Sequence, residues 1–100
     1  MISRGLLVRL EANSGKEADV EAFLHSALPL VQREAGTTAW FAVRFGRGEY
    51  GIFDVFPDNG ARFIHLMGHV PRELAKNSMA LMGSVPELHL VSVQAEKLGV

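Results

Sequence analysis

His65 and His69 stand four residues apart in a stretch of helical pattern, a spacing that would put two imidazoles on one helix face as a metal site requires. No carboxylate stands at the supporting spacing of a zincin motif, so the pair alone does not make a metal centre. His65 taken singly is the stronger candidate. An unperturbed imidazole titrates near neutrality, so it takes and returns a proton at cell pH, and its competing role is a core histidine bonded to backbone. Arg9, Arg44 and Asp54 interrupt apolar stretches with strand character, where a charge is costly unless it is paired or at an edge. An Arg–Asp pair across the sheet or a dimer seam is the structural reading. The functional one gives Arg44 to an anionic intermediate as a fixed positive charge. Trp40, Phe41, Phe45, Tyr50, Phe53, Phe56 and Phe63 form an aromatic-rich centre, part core and part wall for a flat apolar ligand. Trp40 and Tyr50 stand out because each carries a polar atom that needs a partner when buried. Asn13, at the mouth of the first strand, suits a turn and also offers a hydrogen bond to a ligand.

The elements that must position these side chains follow from punctuation and period. Gly5 to Ala12 is short and rich in branched apolar residues, a strand closed by Asn13, Ser14 and Gly15. Ser14 with Glu17 reads as a capping box opening a helix whose Val20, Phe23, Leu24, Ala27, Leu28 and Val31 recur at helical spacing. Pro29 predicts a kink or a local break inside it, and Gly36 its end. Thr37 to Phe45 and Glu49 to Phe56 read as strands joined by a tight hairpin at Gly46, Arg47 and Gly48. That glycine pair is no phosphate loop, because a strand and not a helix follows it. Asp58 caps a second helix, which Gly68 and Pro71 divide in two. Pro86 releases a last strand over Leu88 to Ala95.

This order, βαββαβ with right-handed crossovers, specifies an α+β, ferredoxin-like antiparallel sheet with two helices on one face. One hundred residues, 48% of them apolar, suit a single domain over residues 1–100. A formal charge of −1 with scattered basic residues argues against a nucleic-acid groove or an anionic membrane surface as partner. The absence of cysteine removes disulfides and thiolate chemistry, as suits a reducing compartment. Arg9 and Glu11 interrupt the first apolar run too early for a signal peptide, so cytoplasm is the expected location.

The strands carry apolar residues on both faces, as Leu6 with Leu7, Trp40 with Phe41, Ile52 with Phe53 and Leu90 with Val91 show. The helices cover one face. The other calls for the same face of a second copy, a homodimer whose two sheets enclose a dimeric α/β barrel.

Trp40 to Phe45, Gly51 to Phe56, the Asp-x-x-Ala-x-x-x-His pattern from Asp58 through Ala61 to His65, and the Glu-x-Gly turn from Glu34 to Gly36 resemble the antibiotic biosynthesis monooxygenase-like family of dimeric α+β barrels. The resemblance runs nearly end to end. It implies oxygenation of an electron-rich quinol or anthrone by O₂ with no metal, flavin or haem, so no cofactor is expected. Haem-degrading relatives join an Asn on strand one to a Trp and a His on helix two. The second helix here has no Trp, which disfavours haem. On this reading a deprotonated substrate reduces O₂ and the protein supplies a base and a dry pocket. His65 is the candidate base, Arg44 the stabiliser of the oxyanion, and Trp40, Tyr50, Phe63 and Asn13 the substrate contacts. The alternative is a non-enzymatic homodimer of the same fold that binds or senses a small molecule, since fold alone does not fix function.

Overall fold

A computed structural model describes residues 2–99. The elements run β1 (Arg4–Glu11), α1 (Glu17–Gln32), β2 (Ala39–Gly46), β3 (Glu49–Phe56), α2 (Asn59–Leu66), α3 (His69–Leu81) and β4 (Glu87–Ser92). The strands form one antiparallel sheet in the order β2-β3-β1-β4, as two interleaved split βαβ units require. The fold is α+β and ferredoxin-like, with the second helix broken into α2 and α3.

Alternation along the strands decides which side chains meet the helices. Leu6, Val8 and Leu10 of β1 and Tyr50, Ile52 and Phe56 of β3 are buried against Val20 and Leu24 of α1 and Leu74 of α3. A smaller cluster joins Ala27 and Val31 of α1 to Val70 of α3. The opposite face is apolar and open. Phe41 is 56% exposed and Phe45 51%, with Val43 and Phe53 also exposed. Arg9 lies over the Phe45 ring at 4.6 Å, a cation–π contact that replaces the expected carboxylate partner.

Local geometry corrects three expectations. Ser14 does not cap α1: the Lys16 N–H bonds Asn13 O at 2.9 Å, closing a turn through Gly15, so the helix begins at Glu17 with no side-chain cap. Pro29 does not break α1. The carbonyl it deprives of a donor belongs to His25, and both residues lie on the exposed side, where water substitutes. The helix also stops at Gln32, ahead of Gly36. By contrast, Gly68 caps α3, and Pro71 sits in its first turn, where a backbone donor has no helical acceptor anyway. Gly48, at φ 75°, closes the β2–β3 hairpin. Among the described residues no helix is long and apolar enough to cross a membrane.

Candidate active site

The Asp58 side chain accepts from Ala61 N at 2.8 Å and so fixes the first turn of α2. Two turns on, that helix delivers His65 to the sheet, where it is 3% exposed and its ring lies 5.2 Å from that of Phe56. The turn after α1 comes close to the same helix because Gly36 has no side chain: a Cβ there would stand 3.1 Å from that of Ala61. This approach carries Glu34 to His65. Nδ1 of His65 lies 2.5 Å from Glu34 Oε1, which also accepts from Thr37 Oγ1 at 2.8 Å. On the other side Nε2 lies 2.8 Å from Oδ2 of Asp54, an ion-pair contact without hydrogen-bond alignment.

An imidazole between two carboxylates cannot be neutral without setting a bare nitrogen lone pair against a carboxylate oxygen. It therefore carries both protons, or one carboxylate carries a proton instead. Burial alone lowers the His65 pKa, but the contacts with Asp54 and then Glu34 outweigh it and hold the pKa above its ordinary value. Burial raises the pKa of Asp54, which is fully enclosed, against the opposing pull of His65. The resulting unit is a buried imidazole held between two carboxylates, with His65 and Asp54 both unusually ready to hold a proton.

Asp54, His65 and Trp40 form part of the wall of a cavity of about 230 Å³ between the sheet and α3. The rest of the wall is mostly aliphatic, including Leu6, Val8, Ile52, Val70, Leu74 and Leu88. The indole Nε1 of Trp40 and the Oδ1 of Asp54 are both buried without a partner.

The other candidate residues lie elsewhere. Arg44 is exposed near the β2 end, donates to Gly46 O at 3.2 Å, and borders a separate groove with Tyr50 and His25. It pairs with no carboxylate there, because Asp54 is turned to His65, and it does not line the cavity. The Tyr50 hydroxyl donates to Glu21 Oε2 at 2.5 Å, away from the cavity. Phe63 is 55% exposed on α2, and Asn13 serves the turn before α1; neither lines the cavity. His69 starts a different helix from His65 and is exposed, so the two are not a pair on one face. Both nitrogens of His65 are already engaged, and no metal-binding cluster occurs among the described residues. Sequence reading missed Glu34 as a partner of His65, although its place in the Glu-x-Gly turn marked it. It also assigned Asp54 the wrong partner.

No family model and no curated protein matches this chain. Solved structures do. The protein of unknown function NE2512 from Nitrosomonas europaea is 45% identical, over 100% of this chain and 97% of that one, with a TM-score of 0.96. A second Nitrosomonas europaea protein, provisionally named an antibiotic biosynthesis monooxygenase, is 7% identical over 92% of this chain and 90% of its own, with a TM-score of 0.80. One from Caulobacter crescentus, named in the same provisional way, is 15% identical over 94% and 92%, with a TM-score of 0.79. These two likenesses are of fold.

Proposed function

The chain belongs to one family with NE2512 and has the fold of the antibiotic biosynthesis monooxygenase-like proteins, and from that premise we propose that it is a cofactor-independent monooxygenase acting on a small aromatic quinol. The observation that carries the reading is the Asp54–His65–Glu34 unit beside a mostly aliphatic cavity. Such a site needs little else, because the deprotonated substrate is itself the reductant.

Asp54 takes the proton of the substrate hydroxyl. It is the carboxylate that burial makes the better acceptor, and a small shift of its side chain or of the wall would bring it to substrate. His65 is a positioning residue that acts through Asp54, and its positive charge stabilises the oxyanion formed beside it, the task first assigned to Arg44. Glu34 holds the ring and its protonation. The substrate anion passes one electron to O₂, and the resulting radical and superoxide combine at a ring carbon. The O–O bond then breaks with loss of water. One oxygen stays on the ring, the other leaves as water, and the four electrons all come from substrate: quinol plus O₂ gives hydroxyquinone plus water.

The protein acts as a homodimer in this reading, its open aromatic sheet face covered by a second copy. The test is O₂ uptake with 1,4-dihydroxynaphthalene, corrected for autoxidation. Wild type should accelerate uptake, and Asp54→Asn should lower kcat by about 10²–10⁴-fold, the usual worth of a general base. Uptake no faster than the uncatalysed rate, from protein shown to be folded, would leave a small-molecule binding dimer as the better reading.

A further inference from the structure

Asp54 is sealed from the cavity whose wall it helps to form. Its side chain is 0% exposed, both carboxylate oxygens are enclosed, and among the described residues its one ionic contact is Nε2 of His65 at 2.8 Å. The ring is closed in as well: His65 is 3% exposed, and its other nitrogen lies 2.5 Å from Oε1 of Glu34. Glu34 differs. Its side chain is 21% exposed and borders two grooves on the outer surface, one shared with Thr37, Asp58 and Ile64, the other with Gly68 and His69. Asp54 lines neither groove, and Glu34 does not line the cavity. Three groups in contact therefore cross the wall from the cavity to the outside, and the last of them is the one open to water.

We propose that Glu34 is the proton port of the buried pair, through which His65 and Asp54 exchange protons with water at the outer surface and not through the cavity. Both contacts lie within the reach that proton transfer needs, the one to Asp54 after a small turn of its carboxyl into line. A proton taken from water by Glu34 enters the ring at Nδ1 while the Nε2 proton leaves for Asp54 Oδ2. The reverse sequence empties the site. The ring holds one proton in each end state, on Nδ1 when Asp54 is protonated and on Nε2 when it is not, so it need not turn over. Thr37 Oγ1 donates to the same Glu34 oxygen at 2.8 Å and steadies it. Arg33, Asp58 and His69 are the other charged or titratable side chains on the two grooves besides His65 itself. Burial raises the pKa of Asp54, and the carboxylate contacts raise that of His65, so either group holds the proton that the port admits. By this route the medium sets the charge of a base that is sealed from the cavity.

The test is exchange of the two His65 ring protons with water, read by NMR on the isotopically labelled whole chain with no substrate present. In wild type the Nδ1 proton should exchange faster than the Nε2 proton, which leaves the ring only toward Asp54. Glu34→Gln keeps an oxygen to accept from Nδ1 and from Thr37 but takes up no proton. Exchange at Nδ1 should therefore slow by about 10²-fold or more, the usual worth of a positioned acid–base group. A purely structural Glu34 predicts the opposite, because a loosened ring meets water sooner. Unchanged or faster Nδ1 exchange in folded Glu34→Gln would overturn the proposal. So would Nε2 exchanging ahead of Nδ1 in wild type, which would route protons through the cavity; that order decides the matter even if the variant does not fold. The outcome is independent of O₂ uptake: a chain with no oxygenase activity shows the port if it has one, and an active chain without it fails this test alone.

Discussion

Asp54 and His65 shape each other's protonation, and that coupling extends to stability. The folded-state pKa of His65 is raised, so its contribution is complete below the unfolded value of about 6.5 and is lost as pH rises through the folded value. Asp54 is raised as well, so its proton too favours the folded state on the acid side and is given up as pH climbs. Both signs agree. The gap in Tm between wild type and the double variant Asp54→Asn/His65→Gln, which titrates at neither position, should narrow as pH rises above about 6.5. About 1 kcal/mol moves Tm by about 4–8 °C in a domain of this size, so calorimetry resolves the trend. A gap that widened with pH would mean that His65 is buried neutral. Of this cluster, the sequence revealed His65 by residue type and Asp54 as a charge among apolar neighbours. It did not pair them, because one sits on a strand and the other on a helix, and no spacing rule relates the two.

At the scale of elements, local signals were legible where one residue type has one physical use. Gly68 and Pro71 divided the second helix, and Asp58 capped it, as their positions require. The capping box failed because Ser14 had a competing use in the Gly15 turn, and a single strand-to-helix connection admits both. The Glu34–Gly36 turn was visible only as a pattern. Its physical content is the contact with α2, in which Gly36 lets Ala61 approach and Glu34 reach His65. Gly36→Val should therefore cost about 1–3 kcal/mol by overpacking. Asp58→Ala should cost about 1 kcal/mol through the lost cap. The two differ in what they do to the site. Only Gly36→Val moves the turn that carries Glu34, so an NMR titration of His65 should show a lowered pKa in that variant and little change in Asp58→Ala. Identical His65 titrations in both would show that the close approach is packing alone.

For the whole molecule, the balance is set by a sheet with two apolar faces and helices enough for one. Phe41, Val43, Phe45 and Phe53 stand on the uncovered side, while Trp40, Ile52 and Asp54, next to them in sequence, stand on the side of the cavity. On the proposed reading, assembly and chemistry fall to opposite faces of the same strands. A charge placed in the aromatic patch should break the pair without reaching the cavity. Sedimentation at micromolar protein should show a dimer for wild type and a monomer for Phe41→Glu/Phe53→Glu. The monomer should also melt lower, since a domain of about this length buries only about two thirds of its unfolded surface by itself. A wild-type monomer would refute the covering copy. A charged variant that stays dimeric would place the seam on another surface. If the monomer stays folded, its cavity is complete within one chain, and O₂ uptake with 1,4-dihydroxynaphthalene should persist in it; uptake that disappeared with the partner would show that the second copy shapes the site.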